Sequence, residues 1–381
     1  MGMRIAYLTP TFPPYPGGIG VNAFYNAREM AKRGHSVEVF TPRYGKLNNE
    51  KTEQLNNLKV HYLRPWFSYG NAAVLPQLFR RLRGFDIVHV YYPFFGAAEV
   101  AALARKFLKF KLAVHHEMDV VGEGWMKKFF SWHTAYIFPW IIRRADGVFA
   151  LSEDYFEHSD LGALYRASKR RLPSWRVVPN GVDTDYFRPA RTLSRSPLLC
   201  FVAGLDRAHY FKGVPVFFDA LSSLAREGFA ARLRIAGEGE LKEEYRRLAQ
   251  AKGIGDRVEF VGLVKHDALP DFYQQCSLFV MPSVGRTESF SIATAEAQAC
   301  GLPAIVSDLP GMRVTIEDGV TGFTAKPGDA RDLAEKIHAI LTDYELAAKM
   351  GLAGRARMER MFSWKSIGDS LEKIYQDLIR T

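Results

Sequence analysis

The 381-residue chain is 48% apolar and 24% charged, long enough for two domains with separate cores and too apolar for a disordered one. Its 51 Lys and Arg outnumber 41 Asp and Glu, and the charge of +10 points to an anionic substrate or surface without choosing among phosphates, lipid and nucleic acid. Three scattered cysteines, Cys200, Cys276 and Cys300, include no C-x-x-C pair and support neither a disulfide framework nor a zinc site.

The chain enters a strand at 4–8 where a secretory leader would carry a long apolar run, so the cytoplasm is the expected compartment. Apolar runs then alternate with amphipathic stretches, the pattern of βα units and parallel sheets. Further strands are predicted at 36–41, 59–63, 87–91, 111–115, 147–150 and 176–178, and helices at 19–33, 97–107 and 125–144, with Gly34 closing the first helix. The most apolar window, 129–142, contains Ser131, His133, Thr134 and Pro139 and falls short of the ~20 residues of a membrane span. Flanked by Lys127, Lys128, Arg143 and Arg144, it reads either as a helix lying on a membrane or as a core helix with charged ends. The aromatic run 91–95 and the basic runs 80–83 and 106–111 add slightly to the membrane reading, which implies peripheral attachment to the inner face.

In the second half strands are predicted at 198–202, 232–236, 258–261, 278–281 and 304–307, and helices at 212–227, 240–252, 266–275, 291–299 and 330–341. The result is an α/β chain of two doubly wound parallel sheets. Pro179-Asn180-Gly181 signals a hinge and a polar stretch follows at 188–197, so domains are expected at 1–185 and 186–361, with a terminal helical segment at 362–381.

Loops that follow strands carry the ligands of open α/β sheets. After the strand at 278–281 comes Glu288-Ser-Phe-Ser-Ile-Ala-Thr-Ala-Glu296, two carboxylates up to about 12 Å apart at a helical rise of ~1.5 Å per residue. That is about the reach of a nucleotide sugar from ribose to hexose. Ser289, Phe290 and Ser291 open the helix, and the free N–H groups of such an opening favour a phosphate. A Glu pair at this spacing is common on solvated helix faces, but Ala293, Ala295, Ala297 and Ala299 mark this helix as closely packed.

This segment resembles the E-x7-E motif of retaining glycosyltransferases of family 4, and the chain is similar to that family along nearly its whole length. The resemblance implies a GT-B fold, two Rossmann-like domains with an interdomain cleft, an N-terminal acceptor domain, a C-terminal nucleotide-sugar domain and a terminal helix returning to the first domain. Ser289 and Ser291 stand where the family often has glycine, a departure that keeps the backbone donors but leaves the sugar open. The implied roles are Glu288 on sugar hydroxyls and Glu296 on the ribose. After the strand at 198–202, Gly204, Arg207 and Lys212-Gly213 resemble the family's phosphate-binding combination, although Leu205 stands where Arg often follows the glycine. Gly237-Glu238-Gly239 and Val264 match the turns near the base.

In the first half, Gly18-Ile-Gly20-Val-Asn-Ala23 formally fits the dinucleotide fingerprint, but a proline-rich loop separates it from the strand and the second strand ends in Thr41-Pro42 rather than an acid. The family reading instead gives Gly17 and Gly18 to the donor diphosphate and sugar. His116 is assigned to the sugar or acceptor, with His115 second, as an acceptor contact, and Asp119 as orienting an acceptor hydroxyl or capping a loop. No H-E-x-x-H occurs, and no metal or other cofactor is expected.

Together these imply a retaining transferase moving a hexosyl unit from a UDP- or GDP-sugar to a hydroxyl acceptor, lipid-linked acceptors included. The catalytic set is His116, Lys212, Arg207 and Glu288. The rivals are an epimerase using the same donor pocket and a nucleotide-binding, membrane-docking protein without turnover. Nucleic-acid binding has only net charge behind it.

Overall fold

The computed structural model describes residues 2–13, 17–43, 58–69, 72–120, 124–191, 194–285 and 288–380. Part of the proline-rich first loop, 14–16, and part of the polar stretch, 192–193, lie outside the described residues. Two compact units form, one from 1–181 with 364–381 and the other from 182–363.

In the first unit, β1 (Arg4–Leu8), β2 (Ser36–Pro42) and β3 (Leu58–Leu63) precede a small antiparallel hairpin, β4 (Phe67–Tyr69) with β5 (Ala72–Val74). Then come β6 (Ile87–Tyr92), β7 (Lys111–His116), β8 (Gly147–Ala150) and β9 (Trp175–Val177). The seven-stranded sheet runs β3-β2-β1-β6-β7-β8-β9, all pairs parallel. In the second unit, β10 (Leu198–Val202), β11 (Arg232–Ala236), β12 (Val258–Gly262), β13 (Leu278–Met281), β14 (Ala304–Ser307) and β15 (Gly322–Ala325) order as β12-β11-β10-β13-β14-β15. Every residue of β6, β13 and β14 is buried, as expected of parallel strands covered on both faces.

Each sheet reverses its winding once, between β1 and β6 and between β10 and β13. At such a switch point neighbouring loops leave in opposite directions and open a crevice beyond the strand ends.

The terminal helix Trp364–Arg380 belongs to the first unit: Trp364 stacks on Tyr25 at 4.8 Å and the Tyr375 hydroxyl lies 2.5 Å from His89 Nδ1. The predicted helix over 125–144 is broken into Gly124–Trp132, a π-helical turn His133–Ile137 and Phe138–Ile142. Pro139 has no N–H to continue the ladder, which accounts for the break. The two readings of this segment divide along its length. Phe138, Ile141 and Ile142 are core, while Phe129, Trp132 and Tyr136 are exposed. The aromatic run at 91–95 is no surface feature, since Tyr91, Tyr92 and Phe94 are buried. Gly322 and Phe323 begin β15, paired to β14. No helix among the described residues is long and apolar enough to cross a membrane.

Candidate active site

The switch point of the second sheet joins the two loops richest in candidate residues. After β10 the chain forms a 3-10 helix, Arg207–Lys212, then turns at Gly213 with φ of 78° into the helix Val214–Arg226. A Cβ at Gly213 would lie 1.9 Å from the Pro282 carbonyl oxygen, so glycine is required for the loop after β10 to touch the loop after β13. The Val284 N–H donates to the Phe211 carbonyl at 2.7 Å and locks the two loops together.

This contact brings Lys212 to Glu288. The ammonium donates to Glu288 Oε1 and the Ser283 hydroxyl donates to Oε2 at 2.7 Å, so both carboxylate oxygens are engaged. Their side chains are 15% and 6% exposed, which makes the pair nearly buried yet open to exchange with a ligand. Arg207 is not part of this group. It begins the 3-10 helix that Lys212 ends, five residues at ~2 Å each or about 10 Å away along the chain, and its exposed guanidinium lies 3.5 Å from Glu240 Oε1.

Beyond Glu288 the sequence does not yet form a helix. Ser291 is the N-cap, its hydroxyl accepting from the Thr294 N–H at 3.4 Å, and the helix proper is Ile292–Ala299. Phe290 turns inward against Phe362, with centroids 5.6 Å apart, so its contribution to a ligand is confined to backbone. Glu296 is buried on this helix and accepts from the Tyr273 hydroxyl at 3.0 Å. Burial pushes its carboxyl up to about 7, against the opposing effect of that hydrogen bond.

Gly237 packs on the same region, since a Cβ there would lie 1.9 Å from the Ala203 carbonyl oxygen. The Leu205 N–H donates to the Glu238 carbonyl at 2.9 Å, fixing the glycine-acid-glycine turn beside Gly204. Val264 follows β12 and is partly exposed.

In the first unit, Gly17 precedes the helix Gly18–Lys32, whose first turn has no side-chain cap and no acidic residue. Its leading N–H groups are available to an anion. Thr11 Oγ1, buried and without a hydrogen-bond partner among the described residues, would stand 3.3 Å from a Cβ at Gly17.

β7 ends in two histidines facing opposite ways, as successive residues of a strand must. His115 is fully buried, 3.0 Å from the Val178 carbonyl through Nε2 and 3.3 Å from His89 through Nδ1. Desolvation pushes its pKa down to about 3, so it stays neutral at physiological pH. This corrects its assignment as an acceptor contact, because both of its ring nitrogens are already engaged inside the core. His116 lies on the other side, between Tyr92 and Tyr155, with Nε2 3.3 Å from Asp119 Oδ1. Its Nδ1 is buried and without a partner among the described residues, a state that costs roughly 1–3 kcal/mol unless a ligand supplies the bond. Asp119 also accepts from the Asp160 N–H at 3.0 Å, satisfying the first N–H of the helix Asp160–Ala167, whose N-cap is Ser159, while holding His116.

Sequence reasoning missed Ser283 and Tyr273, which hold the two glutamates, and Glu117. Glu117 is buried, accepts from Asn22 Nδ2 at 2.6 Å and has its pKa raised to about 8 by desolvation. A serine two residues past a strand and a tyrosine inside a helix carry no sequence signal of their own.

Residues 184–357 match the family described as Glycosyl transferases group 1, and residues 16–186 match Glycosyltransferase Family 4. The chain is a family 4 glycosyltransferase. Among the relatives of this glycosyltransferase, D-inositol 3-phosphate glycosyltransferase of Geodermatophilus obscurus is 28% identical over 94% of this chain and 84% of its own length. The GDP-mannose-dependent alpha-(1-6)-phosphatidylinositol monomannoside mannosyltransferase of Mycobacterium tuberculosis is 26% identical over 97% of both. Among solved structures, sucrose-phosphate synthase from Thermosynechococcus elongatus superposes with a TM-score of 0.79 at 23% identity, covering 99% of each chain. Anabaena HepE in complex with UDP gives 0.76 at 18% identity, covering 98% of this chain and all of that one. At these identities the likeness establishes the GT-B fold.

Proposed function

We propose that this glycosyltransferase moves a hexosyl unit from a UDP- or GDP-sugar to a hydroxyl acceptor with retention at the anomeric carbon. The observation that carries the reading is the Lys212–Glu288 pair at the switch point of the second sheet, beside the opening of the helix Ile292–Ala299. In the reaction the bond from the anomeric carbon to the diphosphate oxygen breaks, and negative charge grows on the leaving phosphate. A nearly buried ammonium is worth most against charge that develops in such a place. Lys212 therefore leaves Glu288 for the phosphate, joined by backbone N–H groups at 289–291, and no metal is needed. Glu288, released, accepts from sugar hydroxyls, and Ser283 keeps the carboxylate aligned.

Glu296 takes the ribose hydroxyls, and Gly204, Gly237 and Val264 let backbone approach the nucleotide. Arg207 is an auxiliary phosphate contact that must first leave Glu240. In the first unit, Gly17 and Gly18 contribute N–H groups to the donor, and His116 offers Nδ1 to a sugar or acceptor hydroxyl while Asp119 orients the ring. The acceptor oxygen attacks from the face the diphosphate leaves, and its proton passes to the departing phosphate oxygen. Relatives named for transfer to inositol phosphate and to a phosphatidylinositol mannoside support a hydroxyl acceptor. The proposed setting is the cytoplasm, with peripheral attachment to the membrane's inner face.

The test is nucleoside diphosphate release from a panel of UDP- and GDP-sugars. Release by the wild type that falls at least a hundredfold in Glu288→Ala and Lys212→Ala is expected. Release unaffected by Glu288→Ala would overturn the assignment.

A further inference from the structure

Beyond the ends of β1, β6 and β7, at the switch point of the first sheet, lies a cavity of about 570 Å³. Pro10, Pro93 and Met118 line it from the strand ends, the β4–β5 hairpin covers it with Phe67 and Tyr69, and the helix Gly124–Trp132 closes it with Phe129 and Phe130. Its wall is almost wholly apolar. Its carboxylate and its imidazole, Glu99 and His133, are 2.7 Å apart, and the other Glu99 oxygen accepts from the Gly96 N–H at 2.6 Å. An interior with its polar groups already matched offers water little, and such cavities favour apolar occupants.

The surroundings supply the rest. Trp66 is 82% exposed and Tyr69 56% on the hairpin, and Trp132 is 51% and Tyr136 67% exposed beyond the other wall. Large aromatics with one apolar end and one wet end suit the boundary of a bilayer. Bases lie among them: Lys127 and Lys128 are exposed on the helix that walls the cavity, and Arg80 and Arg81 share a surface hollow with Trp66. Exposed aromatics beside lysine and arginine complement an anionic lipid surface.

We propose that the acceptor is an anionic, membrane-resident lipid whose hydrocarbon chain enters this cavity. The inference rests on the glycosyltransferase reading for what happens to the headgroup. Met118 lines the cavity one residue before Asp119, and Ile19 lines it next to Gly18, so a chain seated here places its polar end toward His116 and the glycine-opened helix. Measured against the roughly 30 Å³ that one water takes up in the liquid, the 570 Å³ is room for a hydrocarbon segment many carbons long.

The test uses n-alkyl phosphates of four to twelve carbons, each below its micelle concentration, titrated into the full chain. Affinity is expected to rise about fourfold per methylene. Ala72→Trp, which fills the cavity from β5, is expected to remove that slope while the protein keeps its cooperative unfolding transition. Should Ala72→Trp not fold, Phe130→Ala enlarges the cavity instead, and affinity should go on rising to longer chains than in the wild type. Affinity that does not change with chain length, or a slope that survives in a folded Ala72→Trp and is unmoved by Phe130→Ala, overturns the proposal. Trp66→Ser with Trp132→Ser should weaken binding to phosphatidylglycerol vesicles at least tenfold, and unchanged vesicle binding would count against the bilayer as source. A steep chain-length dependence in a protein that releases no nucleoside diphosphate would sink the transfer reading and leave the cavity assignment standing. Transfer to water-soluble acceptors with flat alkyl phosphate binding would do the reverse.

Discussion

Replacing Lys212 by alanine separates what the ion pair does for the fold from what the cation does for the reaction. In Lys212→Ala, Glu288 keeps, among the described residues, only the Ser283 hydroxyl, and becomes a buried carboxylate with no cation among them. Breaking a buried pair costs ~3–5 kcal/mol; with Lys212 15% exposed the lower end applies. For a unit of this size about 3 kcal/mol lowers the melting temperature by roughly 6–12 °C. The double variant Lys212→Ala with Glu288→Ala removes the stranded charge and should recover most of that loss. Transfer should not recover, because the leaving phosphate still lacks its cation, and a fall of ~10²–10³-fold is expected in both variants. Thermal unfolding and single-turnover nucleoside diphosphate release measure the two effects on the same samples. If transfer returns along with stability in the double variant, or Lys212→Ala keeps transfer within threefold, the pair is scaffold and the catalytic reasoning fails.

Arg207→Ala should cost less than about tenfold in transfer, since an exposed ion pair contributes little; a loss equal to that of Lys212→Ala in the same assay would put Arg207 on the phosphate throughout. Glu296 has a folded pKa of about 7 against 4.5 for the free side chain, so between these values the folded state holds a proton the unfolded chain releases. Its contribution to stability is therefore full below 4.5 and lost as pH rises through 7, while donor affinity, which needs the carboxylate, rises from pH 6 to 8. Glu296→Gln should flatten both dependences in titration calorimetry and unfolding, and a wild-type pH dependence in that variant would refute the role. Gly213→Ala, with its Cβ 1.9 Å from a carbonyl oxygen, should destabilise by about 3 kcal/mol in denaturant unfolding; a wild-type midpoint would contradict the contact. His116→Ala should lower kcat about 10²-fold while donor-induced thermal stabilisation persists, and an unchanged kcat would remove His116 from the site.

The strands at 4–8, 147–150, 198–202, 278–281 and 304–307 were legible to the residue, because parallel strands covered on both faces read as near-continuous apolar runs, and 232–236 was legible despite Arg232 and Arg234, through Leu233, Ile235 and Ala236. β15 was not, since four residues beginning with glycine gain strand character only by pairing with β14. The helix Tyr344–Arg357 was hidden too, with Gly351 and Gly354 inside it and no clear apolar stripe. In the site, Glu288 and Lys212 each stood out as residues after strands, but their meeting depends on β10 lying next to β13, a matter of sheet order. Arg207 was drawn into the same group because sequence distance says nothing of a 3-10 helix that carries its ends apart. For His115 and His116 the strand period shows that they face opposite ways. Both are buried, and which one packs toward the terminal helix depends on that helix, whose Tyr375 packs against His89 beside His115.

The most direct measurement is a single turnover with a nucleotide sugar labelled with ¹³C at the anomeric carbon, followed by NMR of the product. One new glycosidic signal with the donor's anomeric configuration, absent in Lys212→Ala, is the expected result. An inverted linkage, a label recovered in a sugar epimerised at its neighbouring carbon, or a wild-type signal from Lys212→Ala would contradict it.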